Sequence, residues 1–265
     1  MQKRNAMSDK RPLILVTNDD GVTSKGICAL VDAVSEFGEV VVVAPDRPQS
    51  GMGHAVTIGR ILRLKEVRFP VKISKAYSTT GTPVDCVKLA IYEVLDGRTP
   101  DLLVSGINHG SNSSINVIYS GTMSAAVEGA VEGIPSIGFS LLDHDADADF
   151  DGAMSVVKTV VKSALQNGIP KGTCLNVNIP CIPVNELKGI KICRQAKAFW
   201  EESFDKRTDP SGESYFWLTG EFNNRDKGTD TDEWALGNNF VSIVPVHYDM
   251  TAHHAIAVLN EWDIE

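Results

Sequence analysis

Residues 14–26 read ILVTNDDGVTSKG. The apolar run from Leu13 to Thr17 shows no polar alternation, the pattern of a strand buried on both faces of a parallel sheet. It ends abruptly in Asn18, Asp19, Asp20 and Gly21. Adjacent carboxylates repel, so at the end of a buried strand they need either open water or something positive. Downstream, Ile27, Leu30, Val31, Val34 and Phe37 recur at helical spacing, with Gly38 as candidate C-cap. Residues 39–44 (EVVVVA) follow as a second buried strand. The first 45 residues therefore read as a strand–helix–strand unit, whose parallel strands need a right-handed crossover.

The alternation continues. Residues 54–66 and 71–77 read as extended segments, a hairpin inserted beside the main sheet. Thr82 as N-cap, Pro83 at the first helical position and Asp85 in the first turn open a helix that runs through Leu95 and stops at Gly97. Residues 101–105 (DLLVS) form a third buried strand, followed by a long loop rich in Gly, Ser and Asn. A helix over 122–132, a strand over 136–141, a helix over 151–166 and strands over 174–179 and 190–193 come next. Strands alternating with helices predict a doubly wound, mostly parallel α/β sheet. From about residue 195, Trp200, Phe204, Tyr215, Phe216, Trp217 and Trp234 are interleaved with polar turns. A strand over 240–246 and a helical segment over 251–262 close the chain. The expected organisation is a flexible leader over 1–12, an α/β core over 13–195 and a C-terminal extension over 196–265. The aromatics of that extension suit either oligomer contacts or packing on its own core.

Composition narrows the function. The 265 residues carry a net charge of −9, which argues against a general nucleic-acid binder. An acidic protein that handles phosphate needs a local positive charge, and a metal ion is the obvious source. The five cysteines include no C-x-x-C pair, which disfavours a thiolate zinc site or a disulfide framework and fits a reduced, cytoplasmic setting. The polar start, MQKRNAMSDKRP, is neither a signal peptide nor a membrane anchor.

In a doubly wound sheet, ligands bind beyond the carboxyl ends of the strands. Three such ends carry Asp19 and Asp20, then Asp46 to Gly51, then Asn108, His109 and Asn112. Two carboxylates with neutral oxygens from Ser50 and Asn108 make a hard, oxygen-only donor set suited to Mg²⁺ or Mn²⁺. A cation there would relieve the Asp19–Asp20 repulsion. Tyr119-Ser120-Gly121-Thr122 runs straight into a helix, whose free N–H groups suit an anion and whose hydroxyls equally suit a plain N-cap. A metal beside such a helix start suggests phosphoryl transfer to water. His109 is a candidate general acid or substrate contact, and His54 a weaker one. Asp147, Asp149, Asp151 and Gly152 imitate a calcium loop, but its twelfth position is Lys158 where Glu is required. Asn18 occupies the place where an aspartyl-phosphate phosphatase needs its nucleophile, and the third strand offers no phosphoacceptor Asp as in a receiver domain.

Taken together, ILVTNDDGVTSKGICAL, VVVAPDRPQSGMGHAVT, GTPVDCVKLA, DLLVSGINHGSN, VIYSGTMSAAVEGA and GIPSIGFSL resemble the stationary-phase survival protein SurE family. The resemblance spans roughly residues 13–248. It implies a SurE-like fold whose C-terminal extension is exchanged between subunits, giving a homodimer or homotetramer. It implies metal-dependent 5'- or 3'-nucleotidase activity on nucleoside monophosphates, with short polyphosphates as further substrates. One divalent ion per subunit is expected on Asp19, Asp20, Ser50 and Asn108, the set that the strand ends already suggest. Asp19 and Asn108 are the expected catalytic residues, with Asn112, Ser120, Gly121 and Thr122 at the substrate phosphate. No membrane and no stable nucleic-acid partner are expected. The alternative on the same scaffold is a non-enzymatic, metal-dependent binder of phosphate ligands.

Overall fold

Every residue of strand β1 (Leu13–Thr17) is buried, as its unbroken apolar run requires. Ile14 and Val16 enter one core, with Ile27, Leu30, Val31 and Val34 of helix α1 (Lys25–Val34). Leu13 and Leu15 enter a second core on the opposite face, with Val41 and Val43 of β2 (Glu39–Pro45). Strand alternation thus sends one short segment into both layers, each buried side chain contributing about 1.5–3 kcal/mol. The computed structural model describes residues 11–145 and 147–264. All of the expected leader except residues 11 and 12 lies outside the described residues.

Strands β3 (Leu64–Glu66) and β4 (Lys75–Thr79) follow, then α2 (Pro83–Leu89), β5 (Leu102–His109), α3 (Gly121–Val131), β6 (Ser136–Leu141), α4 (Asp151–Asn167), β7 (Thr173–Ile179) and β8 (Ile190–Ile192). Next come β9 (Ala198–Thr208), β10 (Ser214–Asn224), α5 (Asp232–Gly237), β11 (Val241–His247) and α6 (His253–Leu259). Nine strands form one sheet in the order β3-β4-β2-β1-β5-β6-β7-β11-β8. Pairings from β4 through β7 are parallel, while β11 runs antiparallel to β7 and β3 antiparallel to β4. This is the doubly wound α/β sheet expected from the sequence. The order reverses between β1 and β5, so the chain leaves these neighbours in opposite directions and opens a crevice at their carboxyl ends.

Several boundaries differ from the sequence reading. Helix α1 stops at Val34, where the N–H of Ser35 closes the last turn on Val31. Gly38 is not its cap. A Cβ there would lie 2.3 Å from the Pro12 carbonyl, so this glycine lets two backbones touch. The β3–β4 hairpin is not beside the sheet but forms its edge, because β4 pairs with β2. Helix α2 has the expected Thr82 cap, which Asp85 completes as a capping box, and then widens into a π turn over Ala90–Val94. Strand β5 runs on to His109, with a register shift against β6 between Ser105 and Asn108. Residues 198–224, which read as aromatics among polar turns, form a long two-stranded hairpin outside the main sheet. Its periodicity was hidden because most side chains on both faces are exposed. The segment 196–265 therefore divides. The hairpin stands off, while buried Val241, Ser242, Ile243 and Val244 return β11 to the sheet. Among the described residues no helix is long and apolar enough to cross a membrane.

Candidate active site

The turn after β1 is built to fix Asp19. Fully buried Asn18 donates its Nδ2 to the Gly21 carbonyl at 3.0 Å and to Ser24 Oγ at 2.9 Å. Ser24 also caps α1. Gly21 takes a positive φ of 99°, which closes the turn against Arg47. The N–H of Gln49 donates to the Asp19 carbonyl at 2.7 Å, binding the loop after β2 to the loop after β1.

The Asp19 side chain is 3% exposed and points at the start of α3. Thr122 donates its hydroxyl to Asp19 Oδ1 at 2.5 Å. A Cβ on Gly121 would sit 2.7 Å from Asp19 Cβ, so only glycine lets the helix start approach this closely. Burial pushes the Asp19 carboxyl up to about 6, the neighbouring Asp20 adds to the rise, and Thr122 opposes it. Asp20 is also raised by burial, opposed by the ring and backbone N–H of His109. Asp20 Oδ2 and Asn18 Oδ1 are buried without a hydrogen-bond partner. The site thus has more acceptors than donors and two carboxylates that resist ionising side by side. Such a surplus of hard oxygens is what a divalent cation corrects, so these residues fit Mg²⁺ or Mn²⁺. Among the described residues no cluster of three His, Cys, Asp or Glu offers a rival, nitrogen- or sulfur-based metal site.

Five of the expected residues, Asp19, Ser50, Asn108, Asn112 and Ser120, line one cavity of about 450 Å³. Asn108 spends its Nδ2 on the carbonyls of His109 and Gly110, which leaves Oδ1 as its remaining acceptor. Ser120 caps α3 by accepting from the Met123 N–H at 3.0 Å, so the N-cap and anion-site readings fall on one residue. Gly121, Thr122 and Asp20 are not on the cavity wall. Thr122 is fully buried, and its hydroxyl serves Asp19. His109 lines the cavity, its ring edge-on to Phe150 and its Nδ1 bonded to the Asp145 carbonyl. His54 is elsewhere, tied at 2.9 Å to buried Glu128, which also holds Lys88.

Sequence reasoning missed the scaffold around Asn112. Its N–H donates to Asn178 Oδ1 and its Nδ2 to Ser140 Oγ, both at 2.8 Å, while its carbonyl accepts from Asn176 at 2.8 Å. Asn176 and Asn178 sit in the buried strand LNVNI, where two amides among apolar residues were the available signal. Fully buried Asp232 fixes the same loop through the N–H of Ser114. Glu233 reaches the cavity and accepts from Ser113 at 2.5 Å, with burial raising its carboxyl.

The chain is similar to known proteins over nearly its whole length. The family model described as survival protein SurE matches residues 14–202. The 5'-nucleotidase SurE of Flavobacterium psychrophilum is 61% identical over 254 residues, covering 96% of this chain and 98% of that protein. The 5'-nucleotidase SurE of Christiangramia forsetii is 60% identical, covering 97% and 99%. The crystal structure of the SurE protein from Aquifex aeolicus superposes with a TM-score of 0.82 at 40% identity, over 94% of this chain and 98% of that one.

Proposed function

The chain belongs to the survival protein SurE family and is a 5'-nucleotidase, and on that premise we propose that Asp19, Asp20, Ser50 and Asn108 hold one Mg²⁺ or Mn²⁺ per subunit for hydrolysis of nucleoside monophosphates. The observation that carries the metal assignment is the pair of buried, unpaired acceptors Asn18 Oδ1 and Asp20 Oδ2 beside two carboxylates raised by burial, a rise that His109 opposes at Asp20 only in part. When bound, the ion supplies positive charge to the phosphate oxygens and favours an attacking water.

The remaining work falls to the chain's own groups. Asp19 is held in place by Thr122 and Gly121, so it cannot turn away from the cavity. Ser120, with its oxygen committed to the Met123 N–H, keeps its own proton for a phosphate oxygen. Asn112 has one amide hydrogen on Ser140 and a second left for the phosphate. The start of α3 adds its positive end to this side of the cavity. His109 lines the same cavity, and it or a second water would protonate the leaving oxygen.

The reading extends to assembly and location. Phe204, Phe216, Trp217 and Leu218 of the hairpin are exposed, which supports self-association through it as a dimer or tetramer; sedimentation velocity would separate these from a monomer. The five free thiols suit a reducing cytoplasm.

The test is phosphate release from a panel of nucleoside 5'- and 3'-monophosphates and short polyphosphate, with Mg²⁺, with Mn²⁺ and with chelator. Metal-dependent release from nucleotides is expected. Release that survives complete chelation would refute the metal assignment. No release with any metal, from protein shown to bind one, would favour a phosphate-ligand binder instead.

A further inference from the structure

The cavity is chemically lopsided. Asp19, Ser50, Asn108, Asn112 and Ser120 give its wall polar groups suited to a phosphate. Its wall also includes Trp200 and Phe222, which come from the root of the β9–β10 hairpin. A phosphate has no use for two large aromatic rings. We propose that Trp200 and Phe222 form the nucleobase platform of this site, so that the hairpin root selects phosphomonoesters whose leaving group carries a flat, aromatic base. The proposal rests on the nucleotidase reading and adds to it the residues that recognise the base.

Three observations carry it. First, Trp200 and Phe222 are direct cross-strand partners in the hairpin register, so they act as one surface. Their rings lie 5.5 Å apart at 62°, an edge-on pairing that leaves ring face open to a third aromatic group. Second, the indole is not free to swing. Trp200 Nε1 donates to Asn116 Oδ1 at 2.7 Å, and Asn116 lines the same cavity. A fixed ring costs little further ordering when a ligand stacks on it. Third, Trp200 remains 42% exposed despite this anchoring, so apolar area is still available to cover. The other large aromatics of the hairpin, such as Phe204 and Trp217, lie further along its strands and do not line the cavity. Only the root of the hairpin is placed to read a substrate.

Stacking of one base on an aromatic side chain changes affinity by about 5- to 150-fold. The test compares adenosine 5'-monophosphate with ribose 5-phosphate, which shares the phosphate and sugar but lacks the base. In Trp200→Ala the ratio of kcat/KM for the nucleotide over that for the sugar phosphate should fall about tenfold, through KM. Trp200→Phe should restore most of the ratio, since it keeps a ring, and Phe222→Leu should lower it at nearly constant volume. A folding defect would instead lower both substrates together. An unchanged ratio in Trp200→Ala and in Phe222→Leu would overturn the platform. Wild type inactive on both substrates would mark failure of the nucleotidase reading. Equilibrium dialysis of adenosine would then decide the platform alone: binding weakened by Trp200→Ala supports it, and binding unaltered by Trp200→Ala, or absent from wild type, overturns it.

Discussion

Asp19→Asn should make the metal-free protein more stable while removing its activity. In the metal-free state Asp19 is raised from 3.8 to about 6, chiefly by burial and then by Asp20. An acid whose folded value exceeds its unfolded value costs stability once it ionises. The cost is absent below the unfolded value, grows between pH 3.8 and about 6, and is complete above that. A rise of that size corresponds to about 3 kcal/mol at pH 8, taking 1.36 kcal/mol per unit. Asparagine has the same shape, keeps an oxygen for the Thr122 hydroxyl and carries no charge. The charge-assisted hydrogen bond from Thr122 is already counted in that net rise, so the gain should be about 1–3 kcal/mol, or several degrees in Tm. The assay is thermal unfolding of chelator-treated protein at pH 4.5 and pH 8, followed by titration with Mn²⁺. The variant should exceed wild type at pH 8 and converge with it at low pH. Added metal should raise the Tm of wild type and leave the variant nearly unmoved. A variant less stable than wild type at pH 8, or stabilised equally by metal, would refute the claim that Asp19 is an electrostatically costly group held for a cation.

One further variant tests the approach of α3 to Asp19 and another an ion-pair cluster away from the cavity. Gly121→Ala places a Cβ 2.7 Å from that of Asp19, so α3 or Asp19 must shift by several tenths of an ångström. It should cost about 1–3 kcal/mol and weaken metal binding at least tenfold by calorimetry; normal metal affinity would show that the close approach is incidental. Glu128, whose side chain is 4% exposed, is held below its ordinary 4.5 by its hydrogen bond with His54 and then by Lys88. Its contribution is full above pH 4.5 and is lost as pH falls through the lowered value. Glu128→Gln should therefore destabilise the protein by about 1–2 kcal/mol at pH 7, a figure discounted because His54 and Lys88 are partly exposed, and should flatten the acid limb of stability. An acid limb as steep as that of wild type would place the sensitivity elsewhere.

Which parts of this protein can be read from its sequence depends on how far apart the cooperating residues lie. The run from Leu13 to Thr17 announces a doubly buried strand because strand and burial are both local patterns, and the Asn-Asp-Asp-Gly that follows stands out against it. The position of Asn108 was reachable because a parallel sheet aligns strand ends, so three short segments predict one edge. Gly121 was legible only as part of a helix start. That it must be glycine comes from Asp19, 102 residues away, and no local pattern carries such a contact. The same holds for Asn178 on Asn112, Asp232 on Ser114 and Trp200 on Asn116, separated by 66, 118 and 84 residues. These residues hold the loop that faces the cavity, and each looks locally like an ordinary strand, cap or surface residue. The hairpin failed for a different reason: with both faces exposed, its strands have no buried side to impose a period of two. The readable residues are thus those whose chemistry conflicts with their local setting, as two carboxylates do at the end of an apolar strand. The unreadable ones support that conflict from a distance, by fixing the loop and the helix start that face Asp19 across the cavity.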